Sequence, residues 1–168
     1  MLAPPFRAAL LPSLVLSASF FSAPLRAQLN QPAAQTQSSN PRYGRWLLKS
    51  DAPAPQSNIM TYEPWGANGM KVSIQAVNAR GDTTRWWYTT NFDGQDMPVT
   101  GNASQSHAAV RQISPFVNEI VNKQNGRVTQ RLTNVLSPDH STIAVIYMRE
   151  DAGGKTTGVT FATYVRMP

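Results

Sequence analysis

From residue 43 onward, apolar and polar side chains alternate in short runs, and each run ends in residues that turn the chain. Residues 70–78 show the period most clearly, with Val72, Ile74 and Ala76 on one side and Lys71, Ser73 and Gln75 on the other. Residues 83–90 are β-branched and aromatic, the types that suit a pleated, half-buried surface. There Trp86 and Tyr88 share a side with Thr84 and Thr90, and Trp87 shares the opposite side with Arg85 and Thr89. With a ring on both sides, one face of this strand must meet the core. The other meets a neighbouring segment or a ligand space lined by rings.

The same reading predicts strands over 43–48, 57–65, 70–78 and 83–90, a short one closed by Pro98, and then 107–113, 116–123, 127–136, 142–150 and 157–166. Between them lie turn residues. Asp93-Gly94 supplies a positive φ without steric cost, and Pro98 sits where a ladder donor is dispensable. Gly101-Asn102 gives a further turn, and Asn125-Gly126 is a strong two-residue hairpin signal. Ser137-Pro138-Asp139 presets a type I turn, with His140 after it as a residue that tolerates left-handed backbone. No amphipathic helical stretch reaches about ten residues. The expectation is therefore an all-β fold, a single antiparallel up-and-down meander of about nine or ten strands that closes, or nearly closes, into a barrel and so hides its edges.

Two stretches carry a resemblance. Gly44-Arg45-Trp46-Leu47-Leu48 opens the first strand, and Asp93 to Asn102 reads DGQDMPVTGN after an aromatic strand. With the later turn Ser137-Pro138-Asp139-His140, this order resembles an uncharacterised family of secreted bacterial lipocalin-like proteins, over residues 43–168. Gln95 stands where that family has Lys, and His140 where it has Gly. The resemblance implies a lipocalin-like, calycin-like β-barrel and an export route, and brings no activity with it. In lipocalins a similar G-x-W places its tryptophan on the barrel floor beneath an arginine of the last strand. Trp46 and Arg166 would take those parts, with Gly44, Gly94, Pro98 and Gly101 as structural positions.

The amino terminus adds the compartment. Arg7 precedes an apolar run from Ala8 to Ala23, broken by Pro12, and small residues lead to Ala27. This is the pattern of a signal peptide over 1–27, cut after Ala27, and the run is shorter than the roughly 20 residues of a membrane span. A retained anchor is the alternative. Residues 28–41 are rich in Gln, Ser, Ala and Pro and read as a flexible linker, leaving 42–168 as one barrel domain. The chain has no cysteine, which excludes lipid attachment at cysteine, disulfides and thiolate metal sites. Of 15 basic residues, Arg7 and Arg26 go with the signal, leaving 13 against 9 acidic. They are scattered, so no nucleic-acid partner is expected.

Candidate chemistry is thin. His107 and His140 are the two histidines, and neither has a partner at metal-ligand spacing. A Ser, His and Asp set has no G-x-S-x-G elbow to support it. Most of the Asp residues fall in turns, where they bond local backbone. No catalytic residue, metal or cofactor is therefore expected.

The aromatic residues point elsewhere, to a cavity lined by rings and aliphatics with a few polar groups. The candidate inward positions are Val72, Ile74, Trp86, Tyr88, Val110, Ile120, Leu132, Val145, Tyr147, Phe161 and Val165. The expected function is that of an exported non-enzymatic protein holding a small apolar or amphipathic ligand in its barrel. A filled barrel serving as a structural or interaction module of the cell envelope is the alternative. An enzyme would need His107 or His140 in a cleft beside a carboxylate.

Overall fold

The structure, a computed structural model, describes residues 40–168; the signal segment 1–27 and all of the linker but its last residues lie outside them. Ten strands follow one another: β1 (Gly44–Leu48), β2 (Ser57–Trp65), β3 (Gly69–Val77), β4 (Thr83–Thr90), β5 (Asp93–Pro98), β6 (His107–Ser114), β7 (Val117–Gln124), β8 (Arg127–Leu136), β9 (Thr142–Glu150) and β10 (Thr156–Arg166). They form one antiparallel sheet in the order β4-β3-β2-β1-β10-β9-β8-β7-β6-β5, so every strand pairs with its sequence neighbours except β4 and β5, which are the two edges, and β1 joins β10. No helix among the described residues is long and apolar enough to cross a membrane.

The sheet curls until its two edge strands approach. Just past β5, Thr100 meets Trp87 of β4, each amide donating to the other's carbonyl, at 3.0 Å and 2.9 Å. Gly101 makes that approach possible, since a Cβ there would lie 2.4 Å from the Arg85 carbonyl oxygen. The seam holds this single bridge rather than a full ladder, and the barrel is nearly closed.

Strand chemistry explains the inner face. In β2 to β4 the rows Tyr62, Val72, Tyr88 and Met60, Ile74, Trp86 lie across the sheet from one another, and all point inward. The rows continue on the far side as Ile120 opposite Leu132, Leu132 opposite Tyr147, and Val145 opposite Ala162. Outside, charged side chains pair across strands, with Arg111–Glu119 at 2.6 Å, Lys123–Asp96 at 2.7 Å and Arg131–Glu150 at 2.6 Å. Asp151 accepts the Gly153 and Lys155 amides in its turn, as the turn reading requires, and Asp93 accepts the Gln95 amide.

Two local details differ from the sequence reading. The connection from β4 to β5 turns at Asn91-Phe92, where Phe92 takes a φ of 63°. Thr90 Oγ1 accepts the Phe92 amide at 2.9 Å, which holds the turn. Asp93-Gly94 begins β5 itself, beside a register shift between Asp93 and Asp96. Asn40 and Pro41, assigned to the linker, belong to the barrel floor: the Asn40 carbonyl accepts the Tyr43 amide, and Pro41 O accepts Arg166 Nη2.

Candidate functional site

Part of the barrel interior is packed solid. Trp46, Met70, Leu136 and Ile143, with Ala108 and Val110, belong to the buried core and do not line the cavity. Beside this core an open cavity of about 630 Å³ remains. Its apolar wall is Met60, Val72, Ile74, Trp86 and Tyr88, from β2 to β4. Trp86 and Tyr88 stack with ring centres 6.1 Å apart and planes 17° from parallel, which gives the wall a flat aromatic surface.

The facing strands mix apolar Ile120, Leu132 and Val145 with a row of polar side chains. Gln105 Nε2 donates to Asn122 Oδ1 at 2.7 Å, and Asn122 Nδ2 donates to Gln130 Oε1 at 3.0 Å. This row of amides runs from the loop after β5 across β7 to β8. The exposed Ser104, Arg149 and Thr160 mark the rim.

The lower part of the cavity holds phenols. Tyr62, Tyr88, Tyr147 and Tyr164 all line it, with the Tyr147 and Tyr164 hydroxyls 3.3 Å apart. Burial raises the pKa of each, so all four remain neutral donors. Among the described residues no carboxylate lines the cavity.

Beneath the phenols, two arginines close the floor. The Arg166 guanidinium lies 4.2 Å above the Trp46 ring centre and donates to the carbonyls of His140 at 2.8 Å, Tyr43 at 2.8 Å and Pro41. Gly44 leaves room for it, since a Cβ there would sit 3.0 Å from Arg166 Nη1, and its φ of 126° suits glycine. The floor expected from Trp46 and Arg166 is thus present. Arg42, 1% exposed, donates to the Asn134 side chain and to Phe116 O at 2.8 Å, and its own carbonyl accepts Trp46 Nε1 at 2.8 Å. Sequence reasoning passed over Arg42, because it stands beside the polar linker and outside any periodic run.

Of the positions expected to face inward, Val72, Ile74, Trp86, Tyr88, Ile120, Leu132, Val145 and Tyr147 line the cavity. Val110 is buried in the core, across from the lining residue Ile120. Phe161 and Val165 are corrections. They lie on the outer side of β10, at 76% and 38% exposed, while Ala162 and Tyr164 turn inward. Phe161 borders the cavity only as the residue between Thr160 and Ala162. The larger apolar side chains of β10 are the outer ones, so hydrophobicity favoured the wrong alternation. The reading also missed Met60, Tyr62, Asn58, Asn122 and Asn134, the three asparagines because a polar inward position leaves no apolar period to follow.

The histidines stand apart from the cavity. His107 Nδ1 is 3.1 Å from Ser106 Oγ, and the His140 ring is 6.2 Å from Phe116. His140 takes the left-handed φ of 58° that its turn position asks for. Among the described residues no group of three His, Cys, Asp or Glu side chains could hold a metal ion.

No protein-family model and no curated protein matches the chain. Its fold is similar to solved structures of the fluorescent protein UnaG. A single-residue mutant of UnaG superposes with a TM-score of 0.52 at 13% identity, covering 76% of this chain and 97% of that one. The wild type gives 0.50 at 13% identity, covering 74% and 96%. At that identity the likeness is one of fold: an antiparallel barrel of the calycin type.

Proposed function

We propose that this protein is an exported, non-enzymatic binding protein that holds one small apolar or amphipathic molecule inside its barrel. The observation that carries the reading is the cavity of about 630 Å³, within the roughly 300–1,000 Å³ of small-molecule sites. Its composition supports the same reading. Aliphatic and aromatic side chains make up much of the lining, and a limited set of amides and phenols among them can orient a ligand. A barrel serving only as a structural module has no use for such a space. Export rests on the signal-like start of the chain, from Arg7 to Ala27.

The test is a titration with N-phenyl-1-naphthylamine, a neutral apolar dye that brightens when desolvated. Saturable brightening with one dye per chain, accompanied by energy transfer from Trp86, supports the reading. Absence of uptake at micromolar dye overturns it.

A further inference from the structure

The hydrogen bonds below the cavity run in one direction. Arg42 can only donate, so the Asn134 oxygen must face it and the Asn134 Nδ2 must face away. That Nδ2 donates to the Tyr62 hydroxyl oxygen at 3.1 Å. The Tyr62 hydrogen is therefore free to point onward, and it points to Met60 Sδ at 2.9 Å. A thioether is a weak acceptor. The chain from Arg42 through Asn134 to Tyr62 thus delivers a polarised donor to the cavity and ends on a poor partner.

Charge points the same way. Arg42 is buried, and none of its contacts among the described residues is a carboxylate. Its Nε has no hydrogen-bond partner there. A buried cation without a counter-charge is costly, and an anion nearby would offset that cost.

We infer that the ligand is a carboxylate-ended amphiphile, which enters carboxylate first and accepts the Tyr62 hydroxyl in place of Met60 Sδ. The inference rests on the proposed reading of the cavity as a ligand site. Arg42 acts through Asn134 and is a positioning residue, while Tyr62 makes the contact. The apolar body then lies along Met60, Ile74 and Trp86 toward the rim. Neutral phenols around the head group add donors without adding negative charge, and no carboxylate among the described residues lines the cavity to anchor a cationic head.

The experiment displaces bound N-phenyl-1-naphthylamine with dodecanoate, dodecanol or dodecylamine, which share a body and differ in head group. The wild-type protein should release the dye at about tenfold or more lower dodecanoate than dodecanol or dodecylamine, as a charge-assisted hydrogen bond predicts. Tyr62→Phe should still take up the dye and lose that preference. Asn134→Asp, which places a carboxylate beside Arg42, should also lose it. Arg149→Gln, at the rim, should keep it. Equal displacement by the three compounds in wild type, or a preference that survives Tyr62→Phe or Asn134→Asp, overturns the inference and leaves the cavity reading standing. A preference lost in Arg149→Gln moves the head group to the mouth and also overturns it. Failure of the wild type to take up the dye defeats both.

Discussion

Trp46 and Arg166 meet at the floor of the barrel, the guanidinium carbon 4.2 Å from the ring centre and the ring itself fully buried. This contact adds to the ladder that pairs the first strand with the last. It is reinforced by three carbonyls, of Pro41, Tyr43 and His140, all accepting from the same guanidinium. Replacing Arg166 with Leu would leave these acceptors without their donor and remove the cation–π contact. The expected loss is about 2–4 kcal/mol, read from the midpoint of urea unfolding at unchanged slope. A loss below about 0.5 kcal/mol would show that the contact is ornamental to stability.

The seam makes a second prediction. Gly101 has a φ of 86° and backs onto β4 so closely that a methyl group would collide with the Arg85 carbonyl. Gly101→Ala should cost about 1–3 kcal/mol and loosen the bridge between Trp87 and Thr100, seen as faster amide exchange at those residues. Gly158→Ala serves as its control, since nothing lies within 4 Å of a Cβ there. Its effect should stay within about 0.5 kcal/mol.

Most of the barrel was legible because its determinants are local. The bounds of β2, β4, β8 and β9 follow from alternating residues ended by turn signals, and Asn125-Gly126 takes positive φ at both positions, 52° and 80°. Phe92 was not legible, since nothing local marks a phenylalanine for φ of 63°; the bond from its amide to Thr90 selects it. In β10 the error in placing Phe161 and Val165 could have been avoided. If Arg166 reaches over the inward-facing Trp46, alternation puts Tyr164 and Ala162 inside with it and Phe161 outside. A long-range pair thus fixes a strand's inner face better than its own hydrophobicity does. The amides and Arg42 were hidden for a different reason: their place depends on partners scattered from Gln105 to Asn134, far apart in sequence.

The turn before β9 predicts a pH response. Asp139 accepts the hydroxyls of Ser137 and Ser141 and the Ser141 amide, and these bonds hold its carboxyl at about 2 against an ordinary 3.8. A depressed folded value means that the carboxylate's stabilising effect is present above pH 3.8 and lost as pH falls through about 2. The Asp139 side-chain carbon, followed by NMR, should titrate near pH 2, and Ser137→Ala should move it upward. Titration near the ordinary value in the wild-type protein would contradict the hydrogen-bond geometry.

The cavity can be filled on purpose. Ala162 lines it opposite Val145, with open space beyond. Ala162→Trp should reduce dye affinity about tenfold or more, while stability changes by less than about 1.5 kcal/mol because the ring enters existing space. Unchanged affinity in a folded variant would place the dye elsewhere.

The most direct measurement is a methyl NMR map of the protein with and without N-phenyl-1-naphthylamine. The account predicts shifts and dye-to-methyl contacts at the inward Val72, Ile74, Ile120, Leu132 and Val145, with Val135, Val159 and Val165 on the outside unmoved. Contacts confined to the outer valines, with the inward methyls unchanged at saturation, would contradict a ligand held within the barrel.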